Sequence, residues 1–243
     1  MGRSMGRLTT GPMRPLLLVG SGGFGRETAE AVLAANDVTP QWDLLGFLDD
    51  DPARLGARPV GVPVVGPIDA VHEHPDALVV LCTGRPDNYV SRLRIAQRLG
   101  LEPERYATIV HPSVAAARSS TVGPGSVLLA HTVLTADVTV GAHVAVMPAS
   151  VLTHDTVIGD WATIASGVRL GGAVQVEPGA YLGSSVTIRQ GLAVGAWAMV
   201  GMAAVVTRDV PAGRLWFGAP ARDHGEAPLP AGFLADQLAV AAP

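Results

Sequence analysis

From Val110 onward the sequence repeats every six residues. Stepping forward gives Val110, Ala116, Val122, Leu128, Leu134, Val140, Val146, Leu152, Ile158, Ile164, Leu170, Val176, Leu182, Ile188, Val194, Val200 and Val206. These are seventeen positions in unbroken register, and sixteen are Val, Leu or Ile. Four residues after each stands a small or β-branched residue, from Val114 and Ser120 to Val210, with Leu192 the one departure. A period of six fits neither the 3.6 of an α-helix nor the 2 of a flat strand. It fits a very short strand, a corner, and the same again. Three such sides close a coil of eighteen residues, the hexapeptide pattern of a parallel β-helix. One coil alone cannot bury its aliphatic row, but stacked coils share a continuous interior.

Five full coils run without insertion over 110–127, 128–145, 146–163, 164–181 and 182–199. Paired strands stack about 4.8 Å apart, so residues eighteen apart lie nearly above one another and the sequence becomes a map of three faces. The 29 glycines and 19 prolines are what so many tight corners require. A net charge of −4 argues against a nucleic-acid partner. No stretch of eighteen apolar residues is present, so no transmembrane helix is expected. The first residues carry three arginines and no apolar core of a signal peptide. Residues 1–14 are read as a disordered tail and the chain as cytoplasmic. The single cysteine, Cys82, excludes an intramolecular disulfide framework. All seventeen basic residues are arginines, which excludes Schiff-base and P-loop lysines.

Ahead of the repeat, residues 15–109 read as a truncated, Rossmann-like α/β unit. A strand over 15–20 runs into Gly20-Ser21-Gly22-Gly23-Phe24-Gly25, a G-x-G-x-x-G turn, and then a helix over 24–35. Backbone N–H groups at such a turn face an anion. A second strand, 42–48, ends in Asp49-Asp50-Asp51, where an acid can bond a ribose hydroxyl or base edge. Further strands are expected over 60–65, 77–82 (ending in Thr83-Gly84) and 106–110, with a weak helix over 67–74 and another over 88–99. Four strands leave no second dinucleotide half, so a single nucleotide or nucleotide-linked sugar fits better than a dinucleotide. After the repeat, 223–243 reads as a tail with a short helix around 233–240.

Of seven histidines, His72, His74 and His224 read as solvated, and His111 as a structural residue at the junction. His131 and His143 lie at corners without an adjacent acid. His154 has Asp155 beside it, and a histidine oriented by a carboxylate is a general base near neutral pH. Consecutive side chains of a flat strand point apart, so this pair forms only if the corner breaks the alternation; otherwise Asp137, one coil below Asp155, is the substitute. One coil above His154 is Gly172, whose exposed N–H could stabilise an oxyanion. Base, orienting acid and backbone donor together fit acyl transfer. No metal-ligand cluster is visible, and no metal is expected.

Gly20–Gly25, Gly46-Phe47-Leu48-Asp49-Asp50, Thr83-Gly84, the hexads, His154-Asp155 and Gly218-Ala219-Pro220-Ala221-Arg222 occur together and in order. The chain, over roughly 15–222, thereby resembles the sugar acyltransferases of the sialic acid O-acetyltransferase and nucleotide-amino-sugar N-acetyltransferase type. The resemblance implies that an α/β unit over 15–109 holds the nucleotide of a nucleotide-linked sugar. It implies that a left-handed β-helix over 110–222 binds acetyl-CoA along its outside, between neighbouring subunits of a homotrimer. It gives His154 as base, Asp155 as its partner and Gly172 as oxyanion donor. Gly20, Ser21, Gly22, Gly23, Phe24, Asp49, Asp50, Thr83, Gly84 and Met147 fall on the sugar-nucleotide side, and Thr163, Gly172 and Gly201 on the acyl-CoA side. The chain departs from the pattern in four places: Asp155 stands where Glu is frequent, Met147 where relatives carry Asn, Thr163 where they carry a second His, and Phe24 where they carry His.

The leading expectation is acyl-CoA-dependent N-acylation of a nucleotide-linked amino sugar. The alternatives are O-acylation of a sugar hydroxyl, and a non-catalytic nucleotide-sugar-binding protein that keeps the fold. A nicotinamide-dependent oxidoreductase fits least.

Overall fold

The computed structural model describes residues 12–240. Most of the expected tail 1–14 lies outside these residues, and Arg14 already opens β1 (Arg14–Val19). Strand β1 pairs in parallel with β2 (Trp42–Leu48) and β4 (Leu78–Leu81), and β3 (Val64–Gly66) adds to β2, giving the order β3-β2-β1-β4. The sheet is covered on both sides, so β1 is apolar throughout rather than alternating. Leu16 and Leu18 pack with Ala29 and Val32 of α1 (Gly23–Val38), while Leu17 and Val19 pack with Val71 and Leu99 on the other side.

Several expected elements differ in extent. The strand expected over 60–65 is only Val64–Gly66, because Pro59 starts a tight 3₁₀ turn in which Val60 takes φ 47°. The weak helix over 67–74 is a 3₁₀ segment, Ile68–Glu73. Helix α1 continues past 35 to Val38, where the Asn36 side chain ties it to the start of β2 by bonding Trp42 O at 2.8 Å and accepting from Trp42 N–H. Helix α2 (Ser91–Leu99) starts three residues late, because Asn88 N–H closes a turn on Arg85 O instead. Tyr106 makes only an isolated bridge to Val79, and the expected strand over 106–110 is reduced to Ile109–Val110.

From there the chain coils as a parallel β-helix with three sheets of five, eight and six strands. Each coil places two-residue strands eighteen residues above the last, as in Ala145↔Thr163 and Val146↔Ile164. The hexad residues point inward; Leu128, Val146, Leu152, Ile164, Leu182, Val194 and Val206 are fully buried in one column.

The corners obey the same period. From 125 to 203, every sixth residue has positive φ: Gly at 125, 167, 179 and 191, and residues with a Cβ at the other ten, among them His143 (55°), Asp155 (60°), Trp161 (65°) and Trp197 (57°). For a residue with a Cβ this conformation costs about 1–2 kcal/mol. It is held by a backbone bond to the coil below: Asp155 N–H donates to Ala136 O, Trp161 to Ala142 O, Ala173 to His154 O and Trp197 to Pro178 O, at 2.8–3.1 Å.

The eight-stranded face turns its outward row, including Val127, Ala145, Thr163 and Tyr181, toward the α/β unit. Ile109, Val127 and Leu129 share a cluster with Leu16, Ala29 and Val32. The face ends in an antiparallel hairpin, Arg214–Gly218 with Ala221–Glu226, so the chain remains paired through 226 and the expected tail from 223 begins later. Helix α3 (Phe233–Val240) follows, and Phe233 meets the ring of Trp197 edge-on at 4.7 Å.

One corner carries Gly125, His143, Trp161, Gly179 and Trp197 in vertical succession. His143 and Trp161 stack at 4.1 Å, and the Trp197 ring lies over Gly179. A Cβ on Gly179 would enter that indole, at a φ of +71° that already strains any L side chain. Gly179→Ala is therefore expected to lower stability by about 1–3 kcal/mol, seen as an earlier urea midpoint, and an unchanged midpoint would contradict this packing.

His143 is 8% exposed, and its Nδ1 has no partner among the described residues. Burial, reinforced by the nearby charge of Arg92, pulls its pKa down to about 4. In the unfolded chain a histidine protonates near 6.5. Unfolded protein thus binds the proton first as pH falls. The stability associated with neutral His143 is full above about 6.5 and is lost between about 6.5 and 4, by roughly 3 kcal/mol. Urea midpoints from about pH 7.5 to about pH 4.5 should drop less steeply for His143→Phe than for the parent chain; parallel curves would refute the assignment.

Candidate active site

His154 stands on the corner between the six-stranded and five-stranded faces, two residues past inward Leu152. Its neighbour Asp155 is the positive-φ corner residue. That turn breaks the alternation of a strand and swings the carboxylate back beside the ring: His154 Nδ1 and Asp155 Oδ2 lie 2.8 Å apart. With the carboxylate accepting from Nδ1–H, Nε2 carries the lone pair. The two side chains are 65% and 60% exposed, so the contact orients the ring and adds little to stability. Asp137 is not needed as a substitute.

Directly above, the imidazole lies close against Gly172, where an added Cβ would collide with Cε1 and Nε2 of the ring. Only glycine leaves room for it. The flanking N–H groups are engaged: Gly171 donates to Ile188 O at 2.9 Å and Ala173 to His154 O at 2.8 Å. Among the described residues the Gly172 N–H has no acceptor, so one backbone donor is open beside the imidazole.

The glycine turn forms a second centre. Gly20, Gly22, Gly23, Phe24, Asp49, Asp50, Thr83 and Gly84 line one cavity of about 300 Å³ at the carboxyl ends of β1, β2 and β4. A further cavity of about 440 Å³ lies on the other side of the turn, bounded by Ser21, Arg26 and Arg54. Asp49 Oδ2 accepts from Ser21 N–H at 2.9 Å and Ser21 Oγ–H at 2.5 Å. Burial pushes the Asp49 pKa up, but bonds from Ser21 and Asp51 and the charge of Arg54 outweigh it and hold the carboxyl below its usual range. Asp50 is engaged elsewhere: it accepts from Ile68 N–H and pairs with Arg98, which also holds Asp69. It fastens β2 to α2.

A third cavity of about 180 Å³ adjoins the 300 Å³ one, sharing Phe24 and Gly84. Met147 and Thr163 line it from the eight-stranded face. Gly201 belongs to the corner column of Met147, and its N–H is bonded to Trp216 O. Within one chain, therefore, Thr163 and Met147 lie beside the α/β unit and Gly201 lies three coils up against the 214–226 hairpin, whereas His154, Asp155 and Gly172 lie on another corner and line none of these cavities. No group of three metal-ligating side chains occurs among the described residues.

Arg92 was not singled out by motif or spacing. It is 2% exposed and crosses from α2 to the β-helix. It donates to Thr83 O, His143 O, Trp161 O, Ala162 O and Thr163 Oγ1 at 2.8–3.2 Å. Its signal in the sequence is positional: on a helical wheel it falls between Ala96 and Leu99, on the apolar face of α2. His143, expected at a corner without an adjacent acid, is instead buried between Gly125 below and Trp161 above, its neighbours at eighteen residues.

Comparison with known proteins points one way. Residues 137–172 match the bacterial transferase hexapeptide (six repeats) family. UDP-N-acetylbacillosamine N-acetyltransferase of Bacillus subtilis (strain 168) is 32% identical over 122 residues, which are 49% of this chain and 52% of that protein. The chain thus matches about half the length of this curated relative. The acetyltransferase domain of PglB from Neisseria gonorrhoeae FA1090, solved with acetyl coenzyme A, superposes with a TM-score of 0.78 at 25% identity, over 88% of this chain and all of that one. GDP-perosamine N-acetyltransferase from Caulobacter crescentus shares the fold with a TM-score of 0.76 at 24% identity, over 88% of this chain and 99% of that one. With its unbroken hexads and coiled parallel sheets, the chain carries the bacterial transferase hexapeptide repeat over residues 137–172 and is similar in fold to these acetyltransferases.

Proposed function

We propose that the chain is an N-acyltransferase that moves an acyl group, most simply acetyl, from coenzyme A to the amine of a nucleotide-linked sugar. The observation that carries this reading is the His154 corner: a histidine oriented by Asp155 and seated against Gly172, whose N–H has no acceptor among the described residues. It is supported by the bacillosamine-type relative, named as an N-acetyltransferase, and by the PglB domain, solved with acetyl coenzyme A.

In this reading residues 15–109 act as a Rossmann-like unit whose glycine turn, Asp49 and Thr83-Gly84 receive the nucleotide. Residues 110–222 form the acyl-transfer unit, a left-handed coil. The chain works as a homotrimer, because within one copy the His154 corner and the sugar side of the molecule are apart. A neighbouring copy would bring His154 and Gly172 to the groove beside Met147 and Thr163. The same reading places the protein in the cytoplasm, where both substrates are made.

The sugar amine attacks the thioester carbonyl in its neutral form. A C–N bond forms, and the carbonyl electrons move to oxygen, where the Gly172 N–H stabilises them. His154 Nε2 takes the proton released by the nitrogen. Collapse of the tetrahedral species breaks the C–S bond, and the proton passes to the departing thiolate. No lysine is needed at any step.

His154→Ala is expected to lower kcat/KM by about 10²–10⁴, followed as free thiol released from acetyl-CoA with UDP-, dTDP- and GDP-linked amino sugars. Gly172→Ala should lose on the order of 10², because its Cβ displaces the imidazole, while the chain keeps its fold by circular dichroism. Undiminished turnover in His154→Ala would sink the mechanism. Transfer to hydroxyl sugars alone would favour O-acylation.

A further inference from the structure

Thr163 stands out among the buried threonines. The hydroxyls of Thr28, Thr132 and Thr156 each donate to a backbone carbonyl, of Phe24, Leu129 and Gly171 respectively. Thr163 Oγ1 instead accepts, from Arg92 Nη2 at 2.8 Å, and donates to no group among the described residues. Yet it is only 6% exposed. A hydroxyl has one proton and two lone pairs. With a guanidinium on the acceptor side, the free proton is directed away from Arg92.

Thr163 and Arg92 both line the 180 Å³ cavity between the glycine turn and the eight-stranded face, which gives that proton a space to enter. It has the volume of about six waters, on the order of one sugar ring. Its walls are mixed: Phe24 and Met147 are apolar, while Ser166, Ser184 and Tyr181 offer hydroxyls. It shares the walls Phe24 and Gly84 with the glycine-turn cavity, so a sugar attached to a nucleotide at the turn would lie next to it. Arg92 itself makes no ion pair among the described residues; its five acceptors are all neutral oxygens. Its charge therefore polarises the Thr163 hydroxyl without a carboxylate to offset it, and a hydroxyl so polarised is a stronger donor.

We propose that Arg92 is a positioning residue acting through Thr163: it fixes the threonine oxygen as an acceptor and turns its proton into the cavity, where it binds an oxygen of the nucleotide-linked sugar. This rests on the reading that the glycine-turn cavity takes the nucleotide of such a sugar, and it puts Thr163 on the sugar side rather than the acyl-CoA side that the resemblance implied. The pair then distinguishes the sugar conjugate from the bare nucleotide.

Calorimetric titration of the full chain tests this without turnover, using GDP-perosamine against GDP and a UDP-linked 4-amino sugar against UDP. Thr163→Val keeps the side-chain volume and removes the proton. It should weaken binding of whichever conjugate the parent binds by about tenfold and leave the matching nucleotide unchanged. Thr163→Ser should bind the conjugate as the parent does. Arg92→Lys, which lacks the planar fork, should weaken the conjugate and not the nucleotide. Equal affinity of parent and Thr163→Val for the conjugate, or an equal loss for conjugate and nucleotide, overturns the proposal. So does a parent that binds neither conjugate more tightly than its nucleotide. If Arg92→Lys does not fold, the two threonine variants still decide. The function reading fails differently: a protein that binds the conjugate and leaves acetyl-CoA intact would refute acyl transfer and spare this inference.

Discussion

The corner hydrogen bond is the interaction on which the rest of the molecule depends. At each corner from 125 to 203 one residue adopts positive φ. At corner after corner that residue's N–H reaches the carbonyl nineteen residues earlier, as Asp155 reaches Ala136 and Trp197 reaches Pro178. Ten of these residues have a Cβ and are disfavoured in that conformation when alone. They are acceptable because the bond and the burial of the hexad column arise together. Remove the corner and the two-residue strands have nothing to return them to the same face.

The corner also sets the chemistry. Asp155 is at positive φ for the sake of the coil, and that conformation brings its carboxylate to the imidazole of His154. Trp161 and Trp197 are at positive φ for the same reason, and their rings then run along the corner, over His143 and Gly179. The α/β unit docks against this stack, through Tyr89, whose hydroxyl donates to Trp197 O at 2.8 Å, and through Arg92. A purely local backbone requirement thus positions both the catalytic candidate and the contact between the two halves.

How far the sequence discloses this depends on whether a feature is periodic. The interior column follows from the hexads, and the position of Gly172 above His154 follows from stacking in eighteens. Whether Asp155 could reach His154 did not follow, since it turns on a backbone conformation that residue type does not declare; Trp, Asp, His and Ala all occupy the same corner position. The short β3 was overestimated because a valine-rich stretch, 60–65, outweighed the prolines that break it. Arg92 shows its burial through its place on the apolar face of α2, but not its partners, because Thr83 lies in the α/β unit and His143, Trp161, Ala162 and Thr163 in the β-helix, brought together only by docking.

The coil also makes chain length discrete. Loss of eighteen residues, such as 173–190, would return every hexad to its own face and simply remove one storey, leaving His154 under Gly172 with Arg208 as the next residue above. Loss of six would keep the interior aliphatic but rotate everything downstream by one side of the triangle. The hairpin at 214–226 would then extend a different sheet from the one facing the α/β unit. Loss of one residue would turn the hexad column out of the interior altogether. A scaffold of this kind can grow or shrink only in whole turns, while corner residues outside contacts such as His154 on Gly172 and Trp197 on Gly179 remain free to change one at a time.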